Sequence, residues 1–111
     1  MAELEHDYVD LHFEDDDLVL DAAGEPQLIY DLNCITQDIK HLIRDSGLMV
    51  EIIGQRDDIK VKANIQKLIL MIEEDHRLIP GTVEIENTDV ETFFVTADTY
   101  KYGATELQVS V

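Results

Sequence analysis

The sequence contains one cysteine, Cys34, and no apolar run longer than Leu68–Ile72. A single cysteine cannot form an internal disulfide, and so short a run cannot cross a membrane. The first ten residues, MAELEHDYVD, have neither the basic start nor the apolar stretch of a signal peptide. We therefore expect the chain to be made and kept in a cytoplasm-like compartment, with Cys34 as a small buried helix residue.

Positive charge is also scarce, since the sequence has 8 Lys and Arg against 25 Asp and Glu, which gives a net charge of −17. This deficit argues against direct binding to nucleic acid and to anionic membranes, because both require clustered Lys and Arg. Residues 1–38 hold 12 acids and no Lys or Arg, residues 40–77 hold 7 of each, and residues 78–111 hold 6 acids and 1 base. Because like charges repel within a compact monomer, this distribution favours assembly with a basic partner.

Recognisable catalytic and metal-binding motifs are absent as well. The sequence has no Walker loop, GxGxxG, GxSxG or HExxH, and no two of its four histidines are spaced i, i+4. The acidic run Glu14–Asp17 does not fit an EF-hand loop, because the sixth position counted from Asp15 is Leu20 rather than glycine. We predict a solvated hairpin tip there. We also predict no enzyme, and no catalytic, cofactor-binding or metal-binding residue in this chain.

Two amphipathic helices are the clearest elements of the pattern. The first is predicted over residues 30–46, where Leu32, Ile35 and Ile39 begin an i, i+3, i+7 stripe and Gly47 suits a left-handed C-cap. Asp31 or Asn33 is expected to cap its start. The second helix is predicted from Asp57 or Asp58 to Asp75, with a broad apolar face. Between them, residues 48–54 are expected to form a helical turn.

Strands are predicted at both ends of the chain. YVDLHF, residues 8–13, alternates as a half-buried strand should, and LVLD, residues 18–21, is expected to form a second short strand before a turn at 22–26. TVEIEN, ETFFVTA and TELQVSV are predicted as three strands within residues 82–111. The whole reads as one α+β domain over residues 1–111, with residues 1–7 flexible. A short N-terminal β-segment precedes two helices, which pack on a C-terminal three-stranded antiparallel meander.

The segment EEDHRLIPGTVEIE, residues 73–86, raises the question of a carboxylate site. Consecutive helical residues point about 100° apart, so Glu73, Glu74 and Asp75 are not expected to converge on one substrate bond. A hydrolase that uses these three acids remains an alternative. Arg77 is instead expected to grip a carboxylate, within this chain or on a neighbouring subunit. A surface arginine favoured by the helix dipole is equally compatible with its position.

Two interfaces are predicted from these elements. The first is a rigid joint where the second helix ends, built around Glu74 and Arg77. The second is the C-terminal strand with Leu107, Val109 and Val111, which can accept a strand from another chain if it lies at a sheet edge. A chain that lacks residues 105–111 is expected to fold but to lose its partners.

The order of these elements resembles the baseplate wedge proteins of contractile-tailed phages, known as the protein W or lysozyme-like wedge family. That family has a QxI helix and a second helix that ends in a Glu-Pro-Arg-hydrophobic motif. The matching residues here are Gln37, Asp38, Ile39, Glu74, Arg77 and Leu78. The match departs from the family at Asp75-His76, which stands in place of the proline, and at IGQRDD, which replaces the GER stretch between the helices.

The resemblance covers residues 16–111 and implies a non-catalytic structural subunit of the tail baseplate. Such a subunit docks on larger wedge proteins, presents a sheet to the contractile sheath and needs no cofactor. It would reside in the virion, and in the host cytoplasm during assembly. The alternative function is an acidic DNA mimic that blocks a nucleic-acid-binding protein, which the net charge of −17 suggests.

Overall fold

The order of secondary-structure elements is β-rich, then helical, then β-rich again. The computed structural model of the chain describes residues 7–14, 17–89 and 91–110. The N-terminal strands are β1 (Val9–Leu11), β2 (Phe13–Glu14), β3 (Asp17–Leu18) and β4 (Leu28–Tyr30). The helices are α1 (Leu32–Ser46), α2 (Leu48–Gly54) and α3 (Asp58–Ile72). The last strands are β5 (Glu84–Asp89), β6 (Thr92–Thr99) and β7 (Gly103–Ser110). The predicted α+β class is confirmed.

Helix α1 follows the predicted stripe, with Ile35, Ile39 and Ile43 fully buried on one face. It ends at Gly47, whose φ of 71° is the left-handed conformation that closes a helix at low cost. Asp31 is the N-cap residue of α1, one of the two predicted, but its side chain makes no cap bond to the helix. The Asp31 carboxylate instead accepts the main-chain N–H groups of Asp7 and Tyr8. The side chain of Asp31 therefore ties the N-terminal segment to the start of the helix.

The region between Leu48 and Asp75 contains two helices. The helical turn predicted for residues 48–54 is confirmed as α2, so the two predicted helices become three. Helix α3 begins after Asp57, whose side chain caps the N–H of Ile59 at 2.9 Å. It ends at Ile72 rather than at the predicted Asp75. The prediction was wrong there because Glu73–Asp75 are good helix-surface residues in isolation, whereas contacts beyond the helix draw them into turns.

The C-terminal sheet is an antiparallel meander in the order β5-β6-β7, as predicted. Its inward side chains alternate with outward ones, so the cross-strand pairs Phe93–Val109, Val95–Leu107 and Ala97–Thr105 are buried. Helix α1 packs over β7, where the hydroxyl of Thr36 bonds that of Thr105. One hydrophobic cluster thus joins the helices to one face of the sheet.

The N-terminal strands form an arm, defined as residues 7–14 and 17–30. Strand β1 pairs with β4 and β2 pairs with β3, both antiparallel. The predicted second strand shrinks to β3 and an isolated bridge between Leu20 and Pro26. The strand predicted at residues 8–13 is present as β1 and the start of β2, but its predicted half-burial was wrong, because Val9 and Leu11 are 54% and 38% exposed. The alternation is present, but the arm lies outside the hydrophobic core, so its apolar side is exposed among the described residues.

The burial of β7 argues against the prediction that the chain folds without residues 105–111. Thr105, Leu107 and Val109 are buried against α1 and β6, so their removal would open the core. Gln108, between the last two, is exposed on the other face of the sheet.

Leu107→Ala is therefore expected to destabilise the fold by about 2–4 kcal/mol, from lost apolar burial and the cavity left behind. The neighbouring Gln108→Ala, which empties no buried volume, should change the free energy of unfolding by less than about 0.5 kcal/mol. Urea denaturation of both variants measures the difference. Equal stability of the two variants would contradict the inward orientation of Leu107.

Candidate functional site

The segment that follows α3 is a tight turn fixed by main-chain bonds. The N–H of Leu78 donates to the Asp75 carbonyl, and the Asp75 carboxylate accepts the N–H of Arg77 at 2.9 Å. The N–H of Ile79 then donates to the carbonyl of Asp98 at 2.8 Å, and the N–H of Tyr100 to that of Arg77 at 3.1 Å. Residues 77–79 are thereby pinned beside the end of β6, so the direction of the Arg77 side chain is set by the sheet.

Arg77 lies at the centre of an ion-pair cluster. Its Nε donates to Asp75 Oδ1 at 2.8 Å, and its Nη2 donates to Asp75 Oδ2 at 2.5 Å and to Asp38 Oδ2 at 3.0 Å. The guanidinium carbon also lies 5.0 Å from the centre of the Tyr8 ring, a cation–π distance. We call Arg77, Asp75, Asp38 and Tyr8 the Arg77 cluster. It joins the α3 turn, α1 and the arm through one cation.

The cluster is partly withdrawn from water, since the side chains of Arg77 and Asp75 are 21% and 20% exposed. The bidentate bond from Arg77 holds the pKa of the Asp75 carboxyl below its ordinary value, although burial acts in the opposite direction. The bonds from Asp75 and then Asp38 in turn raise the pKa of Arg77. Both groups are thus held in their charged forms, and the fork geometry that only arginine offers is used in full.

A second set of contacts borders this cluster. The Asp7 carboxylate accepts a bond from Lys101 Nζ at 2.5 Å and another from the Tyr102 hydroxyl. The Tyr8 and Tyr102 rings meet edge to face with centroids 6.3 Å apart. Asp7 was predicted to belong to a flexible terminus, yet it holds the arm to the turn before β7. Residues 1–6 of that range lie outside the described part of the chain.

A surface groove of about 450 Å³ opens beside these residues. Its lining consists of Asp7, Tyr8, His76, Arg77, Tyr100, Lys101 and Tyr102. The cations that line it already bind carboxylates of this chain, so the groove offers aromatic surface rather than a free anion site. Its polar groups hold segments of this chain together.

Gln37 forms a separate link between the arm and α1. The side chain is buried, its Oε1 accepts the N–H of Phe13, and its Nε2 donates to the carbonyl of Leu11, both at 2.9 Å. The amide thus bonds alternate main-chain groups as a neighbouring strand would. Because a buried amide left unpaired is costly, this contact fixes the position of the arm along α1.

A family model described as "Protein of unknown function (DUF2590)" matches residues 9–109 of the chain. The chain belongs to this family. The matched range includes the Arg77 cluster apart from Tyr8, and it includes Gln37. No solved structure matches the chain.

A relative of this DUF2590 protein is encoded by Haemophilus phage HP1 (strain HP1c1). It is named "Uncharacterized 12.7 kDa protein in lys 3'region" and is 41% identical over 96 residues, which is 86% of each chain. The phage setting of this relative agrees with the phage resemblance drawn from the sequence. The baseplate-wedge assignment stays a prediction.

The predicted interface residues of the DUF2590 chain do not form one surface. Arg77 pairs with two carboxylates of its own chain, which answers the question that the sequence left open. Glu74 is exposed in the turn, and the bonds of the cluster go to Asp75 instead. The side chains of Leu107 and Val109 lie in the core, so a partner strand would meet β7 through its main chain. Val111 lies outside the described residues.

The acids considered for hydrolysis have separate partners. Glu73 Oε2 accepts the N–H of Gly81 at 2.7 Å, whereas Asp75 binds Arg77. In the described part of the chain, no group of three or more His, Cys, Asp or Glu could hold a metal ion. No helix among the described residues is long and apolar enough to span a membrane.

Sequence reasoning missed Asp38, Tyr8, Asp7, Lys101 and Tyr102 as members of this site. Arg77 and Lys101 are the last two basic residues of the chain, and three of the four tyrosines come together here. The scarcity of basic residues and tyrosines was the signal in the sequence that could have pointed to this site. It could not identify the pairing, because Asp38 and Arg77 are 39 residues apart and many acids could have met the same cation.

Arg77→Met is expected to destabilise the protein by about 2–3 kcal/mol, because Asp38 and Asp75 lose their shared cation. Arg77→Lys keeps the charge but cannot form the fork, and should cost about 1 kcal/mol. Arg56→Met at an exposed position is the matched control and should change stability by less than about 0.5 kcal/mol. Urea denaturation at pH 7 distinguishes the three. An Arg77→Met variant as stable as the control would contradict the role of the cluster.

Asp75→Asn provides a pH test, because the amide oxygen can still accept the Arg77 N–H while the charge is lost. The folded-state pKa of Asp75 is lowered, so its stabilisation is present above its unfolded pKa of about 3.9 and is lost as pH falls through the folded value. At pH 7 the free energy of unfolding of wild type should therefore be about 1–2 kcal/mol larger than that of Asp75→Asn. The difference should shrink below about pH 4. A difference that stays constant down to pH 2 would contradict the ion pair.

Proposed function

We propose that this chain is a structural, non-catalytic subunit of the baseplate wedge of a contractile phage tail. It would dock on larger wedge proteins and offer a sheet edge to the tail sheath, without direct contact with nucleic acid or membrane. Its place would be the virion tail baseplate, reached through the host cytoplasm during assembly. The observation that carries the proposal is the edge of the C-terminal sheet formed by β7.

The two edges of this sheet differ in how they are protected. Strand β5 carries Glu84 and Glu86 on its outer face and has a register shift between Asn87 and Asp89. Charges and bulges are the means by which natural edge strands avoid further pairing. Strand β7 keeps an unbroken eight-residue register with β6 and has one acid, Glu106. Among the described strands β7 pairs only with β6, so its regular outer edge suits an added strand.

The rigid joint supports the same proposal. A strand donor must meet β7 at a fixed angle to whatever holds the helices. The Arg77 cluster links α1, the arm and the turn next to β6 in one set of charged bonds. The phage setting of the HP1 relative supports a virion context.

The DNA-mimic alternative has less support. A mimic requires acids spread over one continuous face. In this chain Lys60, Lys62 and Lys67 are exposed along α3, and the outer side of β1 is apolar. These features interrupt such a face.

The test uses a phage whose genome encodes this chain, with the gene deleted and supplied in trans. We expect deletion to abolish sheathed tails in electron micrographs, and mass spectrometry of wild-type tails to detect the chain. Glu106→Lys should restore plaque formation at least about tenfold less well than wild type, because an edge lysine opposes strand addition. Glu84→Lys is the matched control, since Glu84 and Glu106 flank the same residue, Thr96, from opposite edges.

Sheathed tails with normal baseplates after gene deletion would refute the baseplate role. Full rescue by Glu106→Lys, with the chain present in tails, would refute the use of the β7 edge but not the baseplate role. Circular dichroism of both lysine variants checks that each is folded.

A further inference from the structure

The arm has an apolar face that is exposed in the described part of the chain. The cross-strand pairs Val9–Tyr30 and Leu11–Leu28 lie on one side of the β1–β4 ribbon. Val9 and Leu28 are 54% and 47% exposed, and Leu11 and Tyr30 are exposed as well. The intervening residue Ile29 lies on the other side, is half-buried, and accepts the Cys34 thiol through its carbonyl. The apolar side of a ribbon is normally the covered one, whereas here it faces away from α1 and is exposed.

The arm is also acidic throughout. Its described residues include Asp7, Asp10, Glu14, Asp17, Asp21 and Glu25, and residues 1–38 contain no Lys or Arg. A surface that covers the arm must therefore combine apolar side chains with cations. The same charge disfavours arm-to-arm pairing of two copies, because it would bring like charges together.

Helix α3 presents that combination on its outer side. Ile59 and Leu70 are 79% and 57% exposed, and with Ala63 they fall within about 40° of one another around the helix axis. Lys60 and Lys67 flank this stripe on one side, and the third lysine, Lys62, flanks it on the other. From residue 59 to residue 72 the helix contains these three lysines and no acid. It is an apolar stripe rimmed with positive charge in an otherwise acidic protein.

Both surfaces are exposed in the same chain, so neither covers the other within one molecule. We propose that the arm of one copy docks on the α3 stripe of a second copy, head to tail. Since the two surfaces differ, each copy keeps a free arm at one end and a free stripe at the other. Such a heterologous contact closes into a ring or extends as a chain. The proposal stands independently of the baseplate role.

The experiment tests whether a variant with a broken arm and a variant with a broken stripe can bind each other. Sedimentation velocity measures the association of full-length chains between about 1 and 200 μM, a range suited to micromolar contacts. One variant, Leu11→Asp/Leu28→Asp, breaks the arm. Another, Ile59→Asp/Leu70→Asp, breaks the stripe. Val50→Asp, at an exposed apolar residue of α2 outside both surfaces, is the matched control. Thermal unfolding followed by circular dichroism confirms that all three are folded.

Wild type and Val50→Asp should self-associate as concentration rises, and each double variant alone should weaken association at least about tenfold. An equimolar mixture of the two double variants should form dimers and nothing larger, because each pair retains one intact arm and one intact stripe.

Several outcomes would overturn the proposal. They are a wild type that stays monomeric throughout, a mixture that stays monomeric while wild type associates, and equal loss of association in Val50→Asp. Association that appears only after deletion of residues 2–6 would assign the apolar face to the N-terminus of the same chain and overturn the proposal too.

Discussion

One guanidinium group sets the arrangement of this molecule. Arg77 binds Asp75 in its own turn and Asp38 on α1, and it lies against Tyr8 of the arm. In a chain with 25 acids and 8 cations, a half-buried cation shared by two carboxylates is a scarce element. Because a charge left unpaired out of water is costly, the three segments are held in one relative position. The main-chain bonds from residues 77–79 to the end of β6 extend that constraint to the sheet.

Polar side chains, rather than burial, hold the arm in place. Asp31 receives two main-chain N–H groups of the arm, Gln37 pairs with both Leu11 and Phe13, and Asp7 binds Lys101. These directional bonds orient the ribbon without covering its apolar side. The result is an element that is ordered before it meets a partner, which reduces the entropy lost on binding. This is the physical link between the proposed assembly role and the contacts within the chain.

The two proposed contacts use different chemistry on different parts of the fold. The β7 edge offers main-chain donors and acceptors to another protein, whereas the arm and α3 offer apolar side chains with opposite charge. The structure shows where the unevenly distributed charges of the sequence lie. Four of the seven bases of the middle segment lie on α3 and at the Arg77 cluster, whereas the arm contains acids and no Lys or Arg. A subunit with distinct contacts at its two ends is suited to a repeating assembly, in agreement with its membership of a family that has a phage-encoded relative.

The sequence by itself determined the α+β class, α1 with its Gly47 cap, and the three-stranded meander. Each of these follows from local rules: helical periodicity, strand alternation, and the freedom of glycine at positive φ. Tertiary structure alone decided that α3 ends at Ile72 and that Asp31 binds the arm. It also decided that Leu107 and Val109 face inward and that Val9 and Leu11 face outward. Periodicity shows which residues share a face, but not whether another element covers that face. The segment EEDHRLIPGTVEIE illustrates the limit, since Glu73 and Asp75 find partners within it, whereas Arg77 also binds a carboxylate of another element. Arg77 takes one carboxylate two residues away and another 39 residues away, and only the packed fold brings the second within reach.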